Sequence, residues 1–185
     1  MHNEKKIGDI MIPLKNFATV PANAGFKEVI STLKSSLTEN NNGMDALLVY
    51  DNNIPAGIIS QEEILNTIRP QLLKDGTYRG WTVNNEWVIP VFWNGLFTVR
   101  CIEATVKKAG EIMKPLVFIV TSEDPLIKAV YGMSKYQVRY LPVTHHKIIS
   151  GIVRQEELFL EICGLVCSEH EQVHTIDKLP TGIAI

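Results

Sequence analysis

Four side chains of metal-ligand type lie near the C-terminus: Cys163, Cys167, His170 and His174. Their spacing of 4, 3 and 4 puts them on one face of a helix. A straight helix would spread them over about 16 Å at 1.5 Å per residue, so one ion could take only an adjacent pair. They are weak candidates, and no metal site is expected. The acidic pairs Glu62-Glu63 and Glu156-Glu157 each follow a glutamine and suit the first turn of a helix, where the dipole favours negative charge. Ser60, just before the first pair, suits the N-cap. His2, His145 and His146 have no acid partner at a fixed spacing. No nucleophile elbow, P-loop, H-E-x-x-H or G-x-G-x-x-G is present, so catalysis is not expected.

Such side chains need elements to position them. The chain has 185 residues, 45% of them apolar and 21% charged, enough for a packed core. Eighteen basic against twenty acidic residues leave a net charge of −2, with no basic run, which argues against a backbone-driven nucleic-acid binder. The start, MHNEKKIGDIM, lacks an apolar core of the kind signal peptides carry. The stretch from Trp87 to Val99 is too short and interrupted to span a membrane. Three cysteines read as thiols, and a cytoplasmic protein is expected.

The chain repeats itself. Gly8-Asp9-Ile10-Met11-Ile12-Pro13 returns as Gly110-Glu111-Ile112-Met113-Lys114-Pro115, with four of six positions identical. Gly57-Ile58-Ile59-Ser60-Gln61-Glu62-Glu63-Ile64 returns as Gly151-Ile152-Val153-Arg154-Gln155-Glu156-Glu157-Leu158, with five of eight identical. The order is kept, so the chain is a tandem duplication with copies near 7–73 and 109–166. Between these blocks each copy predicts the same elements. Short strands are expected at Thr19-Val20 and Ile119-Val120. Helices follow, with apolar stripes Phe26, Val29, Ile30, Leu33, Leu37 and Leu126, Ala129, Val130, Met133. Asp124 is the expected N-cap of the second, with Pro125 at its first position. Hairpins are expected over Ala46–Tyr50 and Ile54–Ile59, turning at Asp51-Asn52-Asn53, and over Val138–Thr144 and Ile148–Val153, turning at His145-His146-Lys147. Final helices start at Gln61 and Gln155. The fold class is α+β, two β-α-β-β-α repeats packed about a pseudo-twofold axis. The expected parts are 1–74 for the first repeat, 75–108 for an inter-repeat insert and lead-in helix, 109–168 for the second repeat, and 169–185 for a tail.

The pattern Gly-x-Ile-Met-x-Pro, Thr-Val before a helix, Leu-Pro-Val, then Gly-Ile-Val-x-x-x-Glu-Leu resembles the CBS domain, and its tandem use resembles a CBS pair, or Bateman module. The resemblance implies a regulatory module without catalysis that forms disc-like homodimers. It also implies an adenosine ligand in clefts between the repeats: AMP, ADP, ATP or S-adenosylmethionine. No other cofactor is expected. Similar CBS domains supply the ligand contacts from Gly-x-x-Thr/Ser-x-x-Asp where the last strand meets the last helix. Ser60 and Glu63 match in the first repeat, and Arg154 and Glu157 in the second. Thr19 matches the hydroxyl residue expected near the adenine, with Ile119 as its counterpart. A carboxylate can accept both ribose hydroxyl protons, and Arg154 carries a fork suited to phosphate. Both acids are Glu where the family has Asp, one methylene longer.

The insert holds Tyr78, Trp81, Trp87, Phe92, Trp93 and Phe97, with few cations among them. Such a segment is expected to pack on something. It either covers the module or its dimer contact, or it anchors a protein partner. Nucleic-acid and membrane partners are not expected.

Overall fold

The structure is a computed structural model that describes residues 4–39, 44–70, 94–146 and 148–167, and the backbone of 77–78 and 81–82. Its chain forms two compact units, Pro13–Ile119 and Met1–Ile12 with Val120–Ile185.

The unit Pro13–Ile119 holds β2 (Thr19–Pro21), α2 (Phe26–Glu39), β3 (Ala46–Asp51), β4 (Ile54–Ser60) and α3 (Gln61–Ile68), followed by α4 (Leu96–Ala104), α5 (Ala109–Ile112) and β7 (Lys114–Pro115). Its sheet runs β2-β3-β4-β7. Strand β2 is parallel to β3, which places α2 as the crossover between them. The β3–β4 hairpin turns on Asn52 and Asn53, at φ 48° and 64°. Two positive φ values in a two-residue loop match the twist of the flanking strands. Strand Val20, Leu47, Val49 and Ile59 form the core with Phe26, Val29 and Leu33 of α2 and with Ala104, Ala109 and Ile112. The predicted α2 stripe is therefore the buried one, with Ile30 at its rim, 36% exposed. Helix α4 is tied to α3 by Arg100, whose guanidinium donates to the Ile68 and Arg69 carbonyls left open at the α3 C-terminus.

The other unit holds α1 (Ile7–Ile10), β1 (Ile12–Pro13), β8 (Val120–Thr121), α6 (Leu126–Tyr136), β9 (Tyr140–His145), β10 (Ile148–Arg154) and α7 (Gln155–Cys167). Its sheet runs β1-β10-β9-β8, the same layout. Buried here are Ile7, Val120, Ala129, Met133, Leu141, Val143, Ile152, Val153 and Leu158. The β9–β10 turn has His146 at φ 48°; Lys147 lies outside the described residues.

Each unit thus carries the Gly-x-Ile-Met-x-Pro segment of the other repeat. The docking is the same twice. Ile7 and Gly8 donate backbone N–H groups to the Asp124 and Ser122 carbonyls, and Ala109 and Gly110 donate to Ala24 and Ala22. The proline strands β1 and β7 are edge strands, where a missing N–H costs no ladder bond.

Two local expectations are corrected. Pro125 is extended, bridged to Lys6, and is itself the cap of α6. Asp124 does not cap that helix; its Oδ2 accepts from the Thr121 N–H and from Lys128 Nζ, both at 2.7 Å. Strand β9 begins two residues later than predicted, because Gln137 adopts φ 51° and Val138 donates back to the Met133 carbonyl to end α6.

Candidate functional site

In the first repeat β4 runs directly into α3, and Ser60 is at once the last strand residue and the helix N-cap. Ser60 is 2% exposed. Its hydroxyl accepts from the Glu62 N–H at 3.1 Å and donates to Glu63 Oε2 at 2.5 Å. The Ser60 N–H donates to the same Oε2 at 2.8 Å. This is a capping box, in which serine and glutamate satisfy each other's side of the helix start. It commits the single Ser60 proton to Glu63. Glu63 Oε2 is filled by two donors, whereas Oε1 accepts nothing among the described residues.

Thr19 is exposed on β2. Register places it on the same face as Ser60: Thr19 pairs with Leu48, Leu48 with Ile58, and Ala46, two residues back on β3, pairs with Ser60. Two strand spacings and two residues put the Thr19 and Ser60 backbones about 12 Å apart. That is opposite to the face of Val20, Leu47, Val49 and Ile59, which lies under the helices. The three first-repeat candidates are thus in one unit and on one sheet face.

In the second repeat the same join, β10 into α7, holds Arg154 and Glu157. The Arg154 N–H donates to Glu157 Oε2 at 3.1 Å, as Ser60 does to Glu63. The side chain differs. Arg154 Nε lies 3.0 Å from both carboxylate oxygens and Nη2 lies 2.5 Å from Oε1. The pair is sheltered, with side chains 13% and 15% exposed. The hydroxyl position equivalent to Thr19 is Ile119, half-exposed and apolar. The neighbouring Glu156 pairs with Arg139, whose guanidinium carbon lies 5.7 Å from the Tyr140 ring centroid. The sequence reading gave Arg154 to a phosphate and missed that its own Glu157 engages it. An Arg three residues before a Glu across a helix start was the available signal.

The remaining candidates are dispersed. Cys163 and Cys167 are free thiols on α7, half-buried and exposed, and His170 and His174 lie outside the described residues. Among the described residues no group of three or more His, Cys, Asp or Glu could hold a metal ion. Ser122 Oγ and His145 Nδ1 are 3.0 Å apart, a pair not anticipated from the sequence. Trp87, Phe92 and Trp93 lie outside the described residues; Tyr78 and Trp81 are paired in the backbone register of a short antiparallel hairpin. Phe97 stands 70% exposed on α4.

The duplicated strand-to-helix join, the four-stranded sheet of each unit and the exchanged lead-in segments find a match in known proteins. Residues 7–70 and 109–164 match the CBS domain. The chain belongs to the CBS-domain family. Two copies in tandem make it a CBS pair. The CBS-pair protein CBSX2 from Arabidopsis thaliana is 18% identical with a TM-score of 0.60, over 88% of this chain and 97% of that one. CBSX2 solved in complex with AMP is 20% identical with a TM-score of 0.56, over 87% and 98%. A CBS domain-containing protein of unknown function from Bacillus anthracis is 18% identical with a TM-score of 0.59, over 87% and 94%. At such identities the likeness shows the fold alone. No curated protein matches the chain. No helix among the described residues of this CBS pair is long and apolar enough to cross a membrane.

Proposed function

We propose that this CBS pair is a regulatory sensor that binds an adenosine-containing ligand: AMP, ADP, ATP or S-adenosylmethionine. The observation that carries the reading is Glu63. Its carboxylate is fixed by Ser60 through one oxygen, and the other oxygen accepts no hydrogen bond from the described residues. A fixed carboxylate with a free oxygen suits the hydroxyl protons of a ribose diol. Thr19, on the same sheet face, supplies a hydroxyl at the distance of a nucleoside's far end. That a CBS-pair relative was solved with AMP supports the ligand class. The protein acts without catalysing a reaction, in the cytoplasm, as a homodimer. Ligand transmits its presence by preferring one conformation of the module, which a partner protein reads; the size of that preference sets the size of the shift.

A second reading has its own observation. Phe159, Leu160, Ile162, Leu165 and Val166 of α7 are each at least 50% exposed. So wide an apolar surface suits a protein contact, and the module would then be a ligand-free dimerisation or interaction scaffold.

Calorimetry with AMP, ATP and S-adenosylmethionine separates them. The sensor reading expects one of the three to bind and Glu63→Gln to weaken it by about 1.5–3 kcal/mol, the worth of a hydrogen bond to a charged group. Unchanged affinity in Glu63→Gln would remove this acid from the site.

A further inference from the structure

We infer that the two repeats are unequal, and that Arg154 is the residue that closes the second: its guanidinium occupies the Glu157 carboxylate where a ribose diol would bind, so each chain takes one adenosine ligand, at the first repeat. This rests on the reading of Glu63 as a diol acceptor.

The two joins are the same in backbone and differ in one side chain. Both acids stand three residues after the last strand residue, and both accept that residue's N–H through Oε2, at 2.8 Å and 3.1 Å. In the first repeat the side chain at that place is a hydroxyl with one proton, which it gives to Oε2. Oε1 is left open. In the second repeat the side chain is a planar fork that reaches both oxygens.

The contest for Glu157 is one-sided. The guanidinium brings a full positive charge and a planar fork of donors from three residues away on the same chain, so it meets the carboxylate ion to ion and at both oxygens. A ribose diol brings two neutral donors from solution. To enter, it would have to separate an ion pair whose side chains are only 13% and 15% exposed. Ile119 adds to the asymmetry, since it offers no hydroxyl where the first repeat has Thr19. An arginine at this place therefore serves as a built-in occupant and fixes which repeat senses the ligand.

Calorimetric titration of the full chain with AMP, ATP and S-adenosylmethionine reads the stoichiometry directly. One site per chain is expected in the wild type. Glu157→Gln should leave affinity within twofold, while Glu63→Gln lowers it roughly tenfold to a hundredfold. Arg154→Ser, which copies the first repeat, should raise the stoichiometry to two. Two sites in the wild type, or an equal loss in Glu157→Gln and Glu63→Gln, overturns the inference while leaving the sensor reading standing. A stoichiometry of one in an Arg154→Ser protein with unchanged melting temperature overturns it too. If that variant does not fold, the wild-type stoichiometry and Glu157→Gln decide. No binding of any of the three by the wild type overturns the sensor reading and this inference with it.

Discussion

Asp124 shows how a single carboxylate can hold a docking loop. Burial raises its pKa, but the bonds from Lys128 Nζ and the Thr121 N–H outweigh that and hold the carboxyl below its usual range. The Asp124 carbonyl meanwhile receives the Ile7 N–H. A carboxyl with a depressed folded-state pKa contributes stability above its unfolded value, near pH 4, and loses it as pH falls through the folded value. Stability measured by urea titration should thus drop below about pH 4, and Asp124→Asn should flatten part of that drop. An acid limb identical in the variant would contradict the assignment. The sequence marked Asp124 as a cap, because Asp suits the N-cap and Pro the first helical position. The bridge of Pro125 to Lys6, 119 residues away in the chain, moved the helix start by one residue, and no local pattern carries a contact of that range. The site residues were legible by offset: Ser60 with Glu63 and Arg154 with Glu157 stand three apart. That Glu63 keeps an open oxygen and Glu157 does not was beyond the sequence, because it depends on where each side chain closes. A finer consequence follows for the ligand. With Oε2 filled, both ribose hydroxyls must share Oε1, so loss of one should be felt: 2′-deoxy-AMP should bind roughly tenfold or more weakly than AMP. Equal affinity in competition would place the ribose away from Glu63.

At the scale of elements, the edge strands β1 (Ile12–Pro13) and β7 (Lys114–Pro115), numbered after the short hairpin strands β5 (Thr77–Tyr78) and β6 (Trp81–Thr82), depend on two glycines. A Cβ on Gly57 would lie 2.6 Å from Met113 Sδ and 2.8 Å from the Lys114 carbonyl oxygen, and one on Gly151 would lie 2.5 Å from the Ile12 carbonyl oxygen. The flexible methionine can give way, but the strand backbone cannot without loosening the pairing of β7 and β1. Gly57→Ala and Gly151→Ala should each cost about 1–3 kcal/mol, as overpacking does, read as a lower urea midpoint. Gly164, in α7, has nothing within 4 Å of its added Cβ. Gly164→Ala should instead stabilise by about 0.5–1 kcal/mol through helix propensity. Loss of stability at Gly164, or none at Gly57 and Gly151, would contradict these contacts. The repeated Gly-Ile-Val/Ile blocks announced the strands, since glycine inside a strand signals a close backbone approach. Their partners could not be read, because a two-residue edge strand has too little pattern to say which sheet it joins. The central strands were legible as short continuous apolar runs, buried on both faces from Ala46 to Val49 and from Tyr140 to Val143, and the helices as apolar stripes, with Val29 and Leu33 buried.

For the whole molecule, two features invite association. Helix α7 exposes Phe159, Ile162 and Val166 at i, i+3 and i+7, and α4 exposes Val99 and Ile102 at i and i+3. Closed twofold assemblies are the commonest way to cover such stripes. Light scattering at micromolar concentration should give twice 20.8 kDa, and Ile162→Glu should shift it toward the monomer. A clean 20.8 kDa species in the wild type would contradict the homodimer. The sensing claim is tested most directly by thermal unfolding of the wild-type chain with AMP, ATP or S-adenosylmethionine added in turn. At about a hundredfold excess over its Kd, a bound ligand should stabilise the fold by about 2.7 kcal/mol. The account predicts that one of the three raises the melting temperature and that Glu63→Gln removes about half of the rise or more at the same concentration. A melting temperature unmoved by all three at millimolar concentration would contradict it.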